Sequence, residues 1–165
     1  MVVSDRMAAQ RIELIIGDAR APLLSTVGST AIPVSLDLRA APGINVAALQ
    51  LRLTWNAQAL RIDSVRVAPG MGFVLTQNIT EVSDGRLVFN LFRPTGMSAS
   101  APMVWLYAAR RPIADVPRAG EARASDSSLM DLGVTVEALG DQDGRDLRAL
   151  LRPVRVLVCG TGVAC

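Results

Sequence analysis

Residues 43–65 read GINVAALQLRLTWNAQALRIDSV, and the fold turns on how this stretch is interpreted. Leu49, Leu51, Leu53 and Trp55 fall on one side, while Ala48, Gln50, Arg52 and Thr54 fall on the other. A period of two marks a half-buried β-strand, because successive side chains leave opposite faces of the pleat. The alternation breaks at Trp55-Asn56, and Leu60 to Val67 forms a second strand with Leu60, Ile62 and Val65 inward. The apolar side belongs to a core. What the polar side is for is the functional question.

The same pattern extends in both directions. Arg11 to Ile16 (RIELII) is apolar and β-branched, and Thr30 to Leu38 (TAIPVSLDL) alternates through Ile32, Val34 and Leu36. Pro33 within that run predicts an edge position or a bulge, since proline cannot donate to a ladder. Residues 73 to 83 suggest a looser strand and loop, and Asp84-Gly85 signals a hairpin into Arg86 to Phe92 (RLVFNLF). Pro94 to Pro102 forms a turn cluster, and Met103 to Ala109 (MVWLYAA) is again strand-like. Residues 110 to 128 are the least regular and have room for a short helix. Leu129 to Leu139 alternates once more, a polar turn spans Gly140 to Asp146, and Pro153 to Val158 is the last strand. Short strands at even spacing, parted by Gly, Pro and Asp turns, predict an all-β antiparallel sandwich.

Composition narrows the function. A chain of 165 residues fits one domain. Half of it is apolar but only 4% aromatic, so the core must be aliphatic. All 17 basic residues are arginine, in keeping with the coding bias of a GC-rich bacterial genome, and the net charge of +2 offers no basic stripe for nucleic acid. Histidine is absent, which excludes Ser-His-Asp and Cys-His machinery and imidazole zinc sites. Cys159 and Cys165 read as the ends of a small disulfide loop in an oxidising compartment, with two free thiols as the alternative. No apolar run reaches the roughly 20 residues of a membrane span. MVVSDRMAAQ is not a signal peptide, so an exported chain is expected to be a piece of a longer protein.

Chemical motifs are weak. GDQDGRD at 140–146 suggests a calcium loop, but counting from Asp141 puts Arg145 at position 5, Asp146 at position 6 and Arg152 at position 12, which fails the ligand pattern. A turn built on Asp143-Gly144 is the better account. Asp126 with Asp131, or Asp141 with Asp143, lacks the surrounding aromatics of a sugar-cleaving cleft. Asn78-Ile79-Thr80 matches a glycosylation sequon, which means little in a bacterial chain.

The ordered set of features resembles the cohesin module of bacterial cellulosome-type scaffolds. VGSTAIPVSLDL at 27–38 is similar to the family's opening strand. NVAALQLRLTWNAQALRIDSVRVAPG resembles its central stretch, with Trp55-Asn56-Ala57 where Tyr-Asp-Pro is usual. DGRLVFNLFRPTG resembles a later strand and turn, and DQDGRDLRALLRPVRVLV its closing hairpin. The resemblance covers most of residues 11–158, leaving an N-terminal extension at 1–10 and a Cys-bounded loop at 159–165. It implies a jelly-roll-like sandwich of about nine strands, with no cofactor and no catalytic residue.

It further implies an extracellular or cell-surface binding module, monomeric, that grips a dockerin, a small calcium-loaded helical module carried by enzymes of polysaccharide breakdown. The partner face carried over from the resemblance includes Gln50, Arg52, Thr54, Asn90, Phe92 and Arg93. Familiar cohesins present an Asn and an Asp where this chain has Ala48 and Gln50, and an acidic residue near the position of Pro94. The exposed row of Gln50, Arg52 and Thr54 is either a binding strip or an ordinary solvated sheet face. Trp105 and Tyr107 share one side of their strand, as anchors for a protein or sugar ring or as core filling. Polysaccharide binding and a structural spacer in a surface protein are the alternative functions.

Overall fold

A computed structural model describes residues 10–18, 24, 27–111 and 132–157. Nine strands follow in order: β1 (Glu13–Ile16), β2 (Thr30–Asp37), β3 (Val46–Thr54), β4 (Leu60–Val67), β5 (Val74–Asn78), β6 (Arg86–Met97), β7 (Ala101–Arg110), β8 (Gly133–Asp141) and β9 (Arg155–Val156). They form two sheets, β5-β6-β3-β8 and β4-β7-β2-β1-β9. Every pairing is antiparallel except β1 with β9. The chain is an all-β sandwich of the expected strand number.

The alternation of β3 places it. Leu49, Leu51 and Leu53 are buried, and Leu87, Phe89 and Leu91 of β6 lie beside them in register. From the opposite sheet come Leu14 and Ile16 of β1, Ile32, Val34 and Leu36 of β2, Leu60, Ile62 and Val65 of β4, and Val104 and Leu106 of β7. These belong to one continuous cluster in which Trp55, Phe73 and Phe89 are the aromatic members. Each such aliphatic side chain removed from water contributes about 1.5–3 kcal/mol toward closing the two sheets together.

Three expectations need correction. Pro33 is not at an edge: β2 lies between β7 and β1. Pro33 carbonyl accepts from Gly17 N–H at 2.8 Å. Within an antiparallel strand the N–H and C=O of one residue point to the same side, so the missing donor of Pro33 faces the end of β1 rather than β7. The expected irregularity does occur one step on, between Val34 and Ser35.

Secondly, Pro94-Thr95-Gly96 does not end its strand. Between the pairs Ala48–Phe92 and Val46–Met97, four residues of β6 stand opposite one of β3. The turn chemistry is spent on a wide bulge, with Gly96 at φ +64°. Asn45 Nδ2 ties this bulge to the next turn by donating to Thr95 O at 3.0 Å and Gln142 Oε1 at 3.1 Å.

Thirdly, the closing segment is not a hairpin. Asp146 bridges back to Gly140 only singly, and the chain then crosses to the other sheet, where β9 runs parallel to β1. The irregular segment expected at 110–128 and the Cys159–Cys165 pair fall outside the described residues, apart from Arg110 and Arg111.

At the end of β2, Asp37 accepts from Arg39 through both its backbone N–H and its guanidinium, and Ser100 Oγ donates to it at 3.1 Å. The same Ser100 Oγ accepts Leu38 N–H at 2.8 Å. The Arg39 hydrogen bonds hold the Asp37 carboxyl well below the usual carboxylate range. A lowered folded-state pKa contributes stability that is present above the unfolded value of about 4 and is lost as pH falls toward the folded one. Asp37→Asn is therefore expected to flatten the loss of stability between about pH 4 and pH 2, measured by urea unfolding across that range.

Candidate functional site

The outward side of β5-β6-β3-β8 is ordered by its registers into rows that cross all four strands. The first row is Val74, Phe92, Ala48 and Gly140. It is apolar, and its large members are exposed: Val74 by 61% and Phe92 by 52%. Ala48 and Gly140 carry almost no side chain, so the surface beside the Phe92 ring is a shallow shelf. The second row is Thr76, Asn90, Gln50 and Ala138, and the third is Asn78, Val88, Arg52 and Thr135. Arg86, Thr54 and Gly133 close the far end.

A bulge in β8 organises the centre. The register between β3 and β8 slips at Gln50–Leu51, so Glu137 stands extra between Val136 and Ala138. Its carboxylate takes two partners from β3: Gln50 Nε2 donates to Oε2 at 2.7 Å, and the Arg52 guanidinium pairs with Oε1. With the guanidinium about half exposed, such a pair adds at most about 1 kcal/mol to stability. Its larger effect is to orient: the Gln50 amide is held with its nitrogen on Glu137, leaving its carbonyl oxygen to accept from outside. Arg148 Nη1 donates to the Glu137 backbone oxygen at 3.2 Å, which steadies the bulge from its other side.

Of the residues singled out from sequence, Gln50, Arg52, Thr54, Asn90 and Phe92 share this face. Arg93 follows Phe92 at the start of the β6 bulge, and its Nε donates to Thr95 Oγ1 at 3.1 Å. Trp105 and Tyr107 do not join them. They lie on β7 in the other sheet, opposite Arg66 and Pro33, and Ser64 and Ala31, respectively. Both are half-buried and point away from the core, into which Val104, Leu106 and Ala108 project. The Arg66 guanidinium sits 5.4 Å from the Tyr107 ring centroid and covers part of it. Trp55 is buried, in line with the three leucines.

Two contributors escape a reading of the sequence. Glu137 shows the right alternation for an outward residue, but its pairing with Gln50 and Arg52 needs the β3–β8 register. Val74 is legible only as part of a loose strand, yet it sets a second exposed apolar side chain beside Phe92. The turn at 140–146 behaves as the sequence suggests: Asp141 Oδ1 accepts the N–H groups of Asp143 and Arg145 at 2.9 and 2.8 Å, and Gly144 takes φ +79°. Among the described residues no cluster of three metal-ligating side chains occurs.

No family model matches the sequence, and no curated protein matches it either. Solved structures do match, over most of their length. The sixth cohesin of scaffoldin B from Acetivibrio cellulolyticus, solved with a dockerin, is 17% identical with a TM-score of 0.57, covering 90% of this chain and 99% of that one. A cohesin–dockerin complex from Clostridium thermocellum gives 12% and 0.57, covering 90% and 95%. A non-cellulosomal cohesin from the hyperthermophilic archaeon Archaeoglobus fulgidus gives 14% and 0.53, covering 89% and 86%. With its strand order, its two sheets and this set of structural neighbours, the chain has a cohesin-like fold.

Proposed function

We propose that this chain is a non-catalytic, extracellular protein-binding module that docks a partner module, of dockerin type, on the outward face of β5-β6-β3-β8. The observation that carries the reading is the exposed Val74–Phe92 pair beside the Ala48–Gly140 shelf, bordered by the Gln50–Glu137–Arg52 network. Exposed apolar side chains rimmed by oriented polar groups are the composition of a docking surface. The charges at the centre are already paired, so a partner meets hydrogen-bonding groups and apolar area without having to neutralise a field. Support from likeness of fold is that several structural neighbours were solved holding dockerins. Ala48 and Gln50 replace the Asn and Asp of familiar cohesins, which points to a partner that presents apolar surface to the shelf.

Phe92→Asp is the direct test. Calcium-loaded dockerin modules and secreted proteins are screened by titration against the wild-type chain, and insoluble polysaccharide is screened by retention. Binding to a protein module is expected to fall by about 2 kcal/mol or more, roughly 30-fold, the scale of a central aromatic anchor. Stability is expected to change by about 1 kcal/mol, well short of the cost of a core truncation, because the ring is half exposed. Trp105→Ala, on the opposite sheet, should leave that binding intact. Retention by glycan that is lost with Trp105→Ala and kept with Phe92→Asp would replace this reading with a polysaccharide-binding one.

A further inference from the structure

Among the described residues two sheets leave four edge strands, β4, β9, β5 and β8, and an open edge is a template for another strand. Three of them are blunted. β4 carries Arg61, Asp63 and Arg66 together with a bulge between Ile62 and Ser64. β9 is two residues long, one of them Arg155. β8 contains Glu137 and its bulge, and its outer backbone is occupied: Leu147 N–H donates to Leu139 O at 2.8 Å, and Arg148 takes the Glu137 carbonyl.

β5 has none of these devices. Its sequence, VLTQN, contains no charge and no proline, and it pairs with β6 in unbroken register. No described segment hydrogen-bonds its other side. Apolar side chains stand exposed around it: Val74 within the strand, Phe92 beside it, and Ile79 just past its end, 65% exposed.

We propose that a second copy of this chain pairs antiparallel with β5, joining two four-stranded sheets into one. The strand is self-complementary. A two-fold axis at Thr76 sets it opposite the partner subunit's Thr76, Val74 opposite the partner subunit's Asn78, and Leu75 opposite the partner subunit's Gln77. These pairs differ by an even number of positions, so inward residues stay inward and outward residues outward in the joined sheet. No like charges meet, and a cross-strand Thr pair is favourable. A strand without charge selects no charged foreign peptide, whereas it fits its own copy throughout. The contact is short, so the dimer is weak and concentration-dependent, in contrast to the monomer expected from sequence. It stands on the edge itself, independently of the docking function proposed above.

Sedimentation velocity over a range of loading concentrations tests this. The wild type should move from the monomer mass toward twice that mass, and amide exchange at residues 74–78 should slow as concentration rises. Thr76→Lys and Thr76→Glu should each remain monomeric at a tenfold higher concentration, with unchanged circular dichroism. An equimolar mixture of the two should recover the dimer, because opposite charges then face each other. A wild type that stays monomeric to about 1 mM, the weak end of measurable pairing, overturns the proposal. So does a Thr76→Lys chain that dimerises like wild type, or a mixture that stays monomeric.

Discussion

Gly85→Val is expected to cost about 3 kcal/mol or more of folding free energy, a large part of what holds a domain of this size together. Two effects coincide at Gly85. Its φ is +79°, a left-handed conformation that costs an L-residue with a side chain about 1–2 kcal/mol. A Cβ there would also lie 2.1 Å from the Trp55 carbonyl oxygen. That oxygen cannot retreat cheaply, because Trp55 N–H donates to Gly85 O at 2.9 Å and fixes the two backbones together. Relief requires opening the junction between the end of β3 and the start of β6, which are neighbours in the centre of the four-stranded sheet. Gly144→Ala is the control. It has the same φ of +79° but nothing within 4 Å of the added Cβ, so only the conformational cost of about 1–2 kcal/mol is expected. Urea midpoints of the two variants separate strain from collision.

Phe89→Ala is expected to lower stability by about 3–5 kcal/mol, enough to bring the chain close to unfolding at 37 °C. Phe89 is fully buried on β6, in register with Leu51 of β3 and Gln77 of β5. The core around it is largely aliphatic, and the hydrogen-bonded backbones of two packed sheets cannot collapse into the space of a lost ring. The residual cavity therefore adds to the lost transfer energy. Phe89→Leu, which keeps most of the volume, should cost less than about 1.5 kcal/mol. Phe92→Asp, three residues along the same strand, provides the contrast: a far more polar change that should move the unfolding midpoint much less while weakening binding of a protein partner roughly 30-fold. That pair of outcomes distinguishes the inward and outward sides of β6.

Much of the fold was legible because the relevant signal is local. Alternation at Leu49-Leu51-Leu53 and at Leu60-Ile62 marks strand and inward side at once, and β4 has the bounds that its pattern predicts. The cohesin resemblance also rested on order along the chain, which survives low identity. The errors arose where one local signal permits two tertiary outcomes. Pro33 is compatible with an edge, or with a central strand whose neighbour has ended. Pro94-Thr95-Gly96 can close a strand or bulge one. DQDGRDLRALLRPVRVLV can return as a hairpin or cross to the other sheet.

The candidate site shows the same division more sharply. Gln50, Arg52, Thr54, Asn90 and Phe92 were identifiable one strand at a time. Trp105 and Tyr107 read from sequence as equal candidates, because a single strand does not reveal which sheet it joins. Only the registers bring Val74 against Phe92 and Glu137 against both Gln50 and Arg52, and only the sheet order leaves β5 as an open edge among the described residues. By itself the sequence determined that this is an all-β chain with an aliphatic core, and which side of each main strand enters it, since burial acts on each residue through a period of two. Tertiary structure decided which strands lie side by side, and hence which side chains share a surface, because that choice is made by hydrogen bonds and packing between residues far apart in the chain.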